Sequence, residues 1–149
     1  MNQRTLTSII RESVSSQLRC RSVKWVRPDL SEEFGEFKRV ARGEGLNLSA
    51  LMRAAAQAEL VPLRPSDWRQ LENTDSNERM TVKQFRELAS RYGRDWRAIE
   101  QAICAGSELP APIILRRADG SATLIAGNTR LMGARALGVT NPRVLEVSP

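Results

Sequence analysis

The sequence predicts an α+β protein in which a helical amino-terminal region leads into a small strand-turn-strand-helix-strand unit. Apolar residues recur at three- and four-residue steps as far as Gly106, and beyond it they fall into short continuous runs. A glycine, Gly127, then marks the return from strand to helix. With 149 residues the chain supports one ordinary core. The expected organisation is a helical region over residues 1–65 and, over 66–149, the strand-bearing unit with two leading helices, packed as one compact body.

In chain order, residues 5–19 set Leu6, Ile9, Ile10, Val14 and Leu18 on one stripe of a helix. Residues 21–30 read as irregular. Ser31 is suited to cap a helix, Glu32 and Glu33 to its positive end, and Phe34, Phe37 and Val40 to its inward face, with Gly43 and Gly45 stopping it. A further helix begins at Asn47 or Leu48 and runs to Leu60, with Leu51, Met52, Ala55 and Ala56 inward and Arg53 and Gln57 outward; Pro62 and Pro65 close the block. Ser66-Asp67-Trp68 opens a short helix, and the polar residues 72–78 read as a loop and as the best internal boundary.

Thr81-Val82-Lys83-Gln84 has the form of a capping box, followed by Phe85, Leu88, Ala89 and Tyr92 on one stripe up to Gly93. Asp95 caps the next helix, which aligns Trp96, Ile99 and Ile103 before Gly106. Residues 113–117 and 123–126 read as strands joined by Asp119-Gly120, a pair suited to positive backbone angles in a tight hairpin. Residues 129–137 return to helix, Gly138 ends it, and 142–147 resume as a strand. Trp25, Trp68 and Trp96 are natural core anchors.

Composition narrows the chemistry. The chain has no histidine, which removes imidazole bases, Ser-His pairs and histidine metal ligands. Cys20 and Cys104 lie far apart without Cys-x-x-Cys spacing, so neither a zinc site nor a disulfide framework is expected, and both read as small apolar fillers. The net charge of +6 is carried mostly by arginine, the side chain whose planar fork matches phosphate, but no block of the chain concentrates it. The first residues contain no long apolar run, so neither a secretory signal nor a membrane span is expected, and the expected location is cytoplasmic.

The stretch that carries chemistry is Leu124-Ile125-Ala126-Gly127-Asn128-Thr129-Arg130. An apolar strand runs into a glycine, then two residues that cap helices well, then an arginine in the first turn. Free N–H groups and the partial positive charge of a helix start favour an anion there, and Arg130 adds a charged fork. The plainer reading is a tight strand-to-helix turn with a solvated arginine. Arg135, five residues on, points about 140° away around the helix and reads as surface or nucleic-acid-facing. Arg116 and Arg117 alternate across their strand, so at most one shares a surface with Arg130. With Arg143 they are the candidate nucleic-acid contacts.

Pro112-Ile113-Ile114-Leu115, the Asp119-Gly120 turn, the stretch from Leu124 to Arg130 and Ala134-Arg135-Ala136-Leu137-Gly138 together resemble the ParB/sulfiredoxin superfamily, over about 40 residues within 109–147. The resemblance implies that Gly127, Asn128, Thr129 and Arg130 receive the phosphates of a nucleotide. Where sulfiredoxins carry cysteine then histidine, this chain has Asn128 or Thr129, which speaks against sulfinic acid reduction. Kinase-like members place histidines in the turn, and this chain has none. Partition proteins carry a glutamate after the glycine, where Asn128 stands, which weakens magnesium-assisted hydrolysis.

The expected function is therefore a nucleotide- or nucleic-acid-phosphate-binding accessory protein of the ParB-like kind. Slow nucleotide or phosphodiester hydrolysis is left open, and the cofactor expected is a nucleoside triphosphate, with or without magnesium. No metal site and no catalytic residue is assigned, because Glu72, Asp75, Glu78, Glu100, Glu108, Asp119 and Glu146 show no metal-ligand spacing and read as solvated surface. DNA, if bound, is expected to be held weakly and in a salt-sensitive way; no membrane partner is expected. The alternatives are a non-catalytic interaction or regulatory protein, with a homodimer or protein contact through the amino-terminal helices, and a helix-turn-helix DNA binder with Asn47, Ser49, Arg53 and Gln57 facing DNA.

Overall fold

A computed structural model describes residues 23–76, 79–139 and 142–149. The helix expected over 5–19 lies outside these residues, as do Cys20 and Glu78. The elements in order are β1 (Lys24–Val26), α1 (Phe34–Glu44), α2 (Leu48–Gln57), β2 (Leu60–Pro62), α3 (Pro65–Gln70), α4 (Val82–Arg91), α5 (Trp96–Ala105), β3 (Glu108–Pro110), β4 (Ile113–Arg116), β5 (Ala122–Ala126), α6 (Asn128–Ala136) and β6 (Arg143–Val147). Mixed helix and strand make it an α+β protein.

Four strands form one mixed sheet in the order β2-β6-β4-β5. β4 and β5 pair antiparallel as expected, with an irregularity between Ile113 and Ile114. After β5, α6 carries the chain across so that β6 lies parallel to β4, and β2 adds antiparallel to the far side of β6. A separate parallel pair joins β1 to β3.

Helices cover both faces of the sheet, because its strands alternate their side chains between two apolar layers. Ile113 and Leu115 of β4 pack with Phe37, Val40 and Ala41 of α1 and with Leu51 and Ala55 of α2. Ile114, between them in sequence, packs on the opposite side with Leu131 and Ala134 of α6, Ile103 of α5 and Trp68 of α3. A third cluster sets Phe85 and Ala89 of α4 against Met132 of α6. The contact is close at Gly133, where a Cβ atom would lie 3.0 Å from both Ile99 and Phe85 side-chain atoms.

Several local expectations hold. Asn47 caps α2 by accepting from the Ala50 N–H, and Asp95 caps α5 by accepting from that of Ala98. Thr81 and Gln84 form both bonds of the capping box. Gly45 and Gly106 end α1 and α5 in the left-handed conformation, which spares a side chain the clash there.

Others are corrected. Ser31 does not cap α1: its N–H and hydroxyl both donate to Asp29, and the helix starts at Phe34, whose side chain is exposed. Helix α2 stops at Gln57, and Leu60 instead pairs with Leu145 as part of β2. Ala56 and Tyr92 are exposed, and of the three tryptophans Trp68 is buried while Trp25 and Trp96 pack partly buried against core clusters. β1 and β3 were not anticipated, since each has three residues and is held by a partner over 80 positions away. In the hairpin only Gly120 has a positive φ, +89°; Asp119 instead accepts from the Ser121 N–H and hydroxyl. Cys104 is disulfide-bonded, so it is not the unpaired filler expected from its spacing.

Candidate functional site

Strand β5 ends at Ala126 and the chain turns at Gly127, with φ +96°, directly into α6. A Cβ atom on Gly127 would sit 2.7 Å from Pro112 Cα and 3.0 Å from Arg130 Nη2. Glycine is therefore demanded by the protein's own packing, and the missing side chain faces Pro112 rather than an approaching ligand. Among the described residues no side chain caps α6, so the N–H groups of its first turn lack a side-chain acceptor there.

Asn128 is the first residue of α6, and its carboxamide is bound to the polar loop expected as a boundary. Its Oδ1 accepts from the Asp75 N–H at 3.1 Å and the Thr74 hydroxyl at 3.3 Å, and its Nδ2 donates to Asp75 Oδ2 at 2.7 Å. The Tyr92 hydroxyl donates to that same Asp75 oxygen at 2.9 Å, which raises the tyrosine's pKa above its ordinary value. The loop is further pinned to the sheet: Glu72 bridges to Thr123 of β5, and Asn73 donates to the Leu124 carbonyl. It covers the open edge of β5.

Thr129 is buried beneath the helix start. The Arg130 side chain is only 18% exposed and reaches Glu33 at the start of α1, with Nη2 to Oε1 at 3.4 Å. Its Nε is buried and has no hydrogen-bond partner among the described residues. Burial lowers the arginine's pKa, partly offset by the Glu33 carboxylate. A long, weak contact and an unpaired donor leave this guanidinium under-satisfied.

Gly127, Asn128, Thr129 and Arg130 line one cleft of about 910 Å³, together with Glu33, Arg39, Asp75, Tyr92, Arg94 and Asp95. It falls within the size range of small-molecule sites. The α6 start, Arg130, the carboxylates of Asp75 and Asp95 and Tyr92 all belong to its walls, with Asp75 bonded directly to Asn128.

The other arginines singled out in the sequence do not join this cleft. Arg116 bonds Glu146 at 2.7 Å and Asp67 at 3.2 Å and also donates to the Gly120 carbonyl. Burial lowers its pKa, but the two carboxylates outweigh burial and the net shift is upward. Arg117 is held by Glu44 at 2.6 Å and Glu72 at 3.0 Å. Arg135 lies over the Trp68 ring at 4.9 Å and donates to the Trp68 carbonyl, so it packs against α3 rather than presenting a free charge. Arg143 is exposed.

The acidic residues expected as solvated surface are mostly partnered as well. Glu146 and Glu72 serve these arginines, Glu100 pairs with Arg86 at 2.7 Å, and Glu108 with Lys24 at 3.5 Å. Among the described residues no group of three or more Cys, Asp or Glu side chains gathers as a metal site, and no helix is long and apolar enough to cross a membrane. Sequence reasoning missed Glu33 and Tyr92 as cleft residues. No spacing signal links them to Arg130, since each arrives from a separate helix.

No protein-family model, curated protein or solved structure matches this chain.

Proposed function

We propose that the cleft before α6 receives the phosphate end of a nucleotide or of nucleic acid, and that the protein is a binding accessory protein of the ParB-like kind. The observation that carries this reading is Arg130, an incompletely paired guanidinium beside a helix start with no side-chain cap. A phosphate there accepts from the first-turn N–H groups and from Arg130. Net contributions of about 1 kcal/mol for each neutral donor and about 1.5 to 3 kcal/mol for the charged one add to roughly millimolar to micromolar affinity. A nucleoside triphosphate, alone or with magnesium, is the ligand class, and slow hydrolysis is a separate property to be assayed by phosphate release.

The test is a thermal shift series with nucleoside di- and triphosphates, with and without magnesium. A ligand at 100 times its dissociation constant adds about 2.7 kcal/mol. No shift with any of them overturns the reading and favours a rival, an interaction protein in which Asp75 and Glu33 hold the Asn128 side chain and Arg130 as internal structural contacts.

A second reading, DNA binding through α2, is supported by the short turn between α1 and α2 and by the exposure of Asn47, Ser49, Arg53 and Gln57. Retention of one duplex sequence over an unrelated one at physiological salt tests it.

A further inference from the structure

We infer that Tyr92 is the platform on which the planar base of a nucleoside phosphate stacks, a proposal that rests on the phosphate reading of the same cleft. Two large apolar side chains are exposed among the described residues, Phe34 and Tyr92, and of these Tyr92 lines the cleft. The residue is 48% exposed although it stands at the end of a well-packed helix. An aromatic face left open to a cleft is where a base gains contact.

The ring is also fixed in place. At one end the Tyr92 N–H donates to Leu88 at the close of α4. At the other, its hydroxyl shares Asp75 Oδ2 with Nδ2 of Asn128, the first residue of α6. The proposed phosphate turn and the aromatic are thus held to one oxygen atom, so little side-chain entropy is lost when a ligand lies across both. About 910 Å³ is much more than a single phosphate fills, and beside Arg39 and Arg94 the walls carry carboxylates, Asp75 and Asp95, that accept from hydroxyls or amines. These features select a ligand with an anionic end and an uncharged, donor-bearing, planar end: a nucleoside phosphate.

Tyr92 is the only tyrosine in the chain, so ring-labelled tyrosine gives a single set of NMR signals. The full chain is titrated with tripolyphosphate, with ribose 5-phosphate and with the common nucleoside triphosphates, by calorimetry and by that signal. The expected result is that a nucleoside triphosphate binds on the order of 10-fold tighter than tripolyphosphate and moves the Tyr92 ring signals upfield. Tyr92→Leu abolishes the difference between nucleotide and tripolyphosphate, and Tyr92→Phe, which loses the same hydroxyl contact to Asp75 but keeps the ring, retains most of it. Equal affinity for tripolyphosphate and nucleotide with an unmoved ring signal overturns the stacking role while leaving the phosphate site standing. Failure of every phosphate compound to bind overturns both.

Discussion

Asp75 and Asn128, 53 residues apart in sequence, bind each other reciprocally. The Asn128 amide group donates to the Asp75 carboxylate at 2.7 Å, while the Asp75 backbone N–H donates to Asn128 Oδ1 at 3.1 Å. Asn128→Asp sets two carboxylates against each other and removes a donor, at an expected cost of about 1 to 3 kcal/mol. Asp75→Asn in the same chain restores a donor and removes the repulsion, so it recovers part of the loss. A double-mutant cycle by urea denaturation checks this; additive losses would remove the pair as a stabilising contact.

Gly127 and Gly120 both have positive φ, but their surroundings differ. At Gly120 a Cβ meets nothing within 4 Å, so Gly120→Ala carries only conformational strain of about 1 to 3 kcal/mol. Gly127→Ala adds overlap with the Pro112 backbone, at a further cost of roughly 1 to 3 kcal/mol. Denaturation midpoints are expected to fall in the order wild type, Gly120→Ala, Gly127→Ala. Equal losses would mean that Pro112 moves away at no cost.

Arg130 and Arg135 belong to one helix and separate binding from stability. Arg130→Ala removes the charged donor, and affinity for a nucleoside triphosphate is expected to fall roughly 10- to 150-fold, the equivalent of about 1.5 to 3 kcal/mol. Arg135→Ala leaves affinity unchanged and lowers the melting temperature, because its guanidinium covers the Trp68 ring and donates to the Trp68 carbonyl. Calorimetry and melting curves on both variants check the separation. Equal losses of affinity would point to diffuse charge attraction.

Acid sensitivity follows from Glu44. Its hydrogen bond from Arg117 holds the carboxyl below its ordinary value, against a smaller opposing effect of burial. A folded-state pKa below the unfolded one contributes stability that is present near neutral pH and lost as pH falls through the carboxylate range, from about 4.5 downward. Glu44→Gln is expected to be less stable than wild type at about pH 7 and to lose less on going to about pH 3. Parallel pH profiles for the two chains would contradict the assignment.

DNA binding, where it occurs, is expected to be weak and strongly reduced between about 50 and 200 mM salt. Arg116 and Arg117 are matched by carboxylates within the chain, which leaves Arg53 and Arg143 among the exposed charges. Filter binding across that salt range checks it, and high affinity that does not change with salt would contradict it.

The helix caps at Asn47, Thr81 and Asp95, the β4–β5 hairpin and the strand-glycine-helix order at Gly127 were legible from residue order, because each depends on groups a few positions apart. The apolar runs of β4 and β5 also read directly, since helices bury both their faces. The same local view could not show what surrounds the arginines. Whether Arg116, Arg117 or Arg135 offers a free charge depends on Glu146, Glu44 and Trp68, which arrive from distant elements. It also missed β1, β2 and β3, whose pairing supplies an order that three residues lack alone. The cleft is assembled the same way, with Glu33 from α1, Asp75 from a loop, Tyr92 from α4 and Arg130 from α6. Charges and rings at these spacings acquire meaning only when packing removes them from water and sets them against one another.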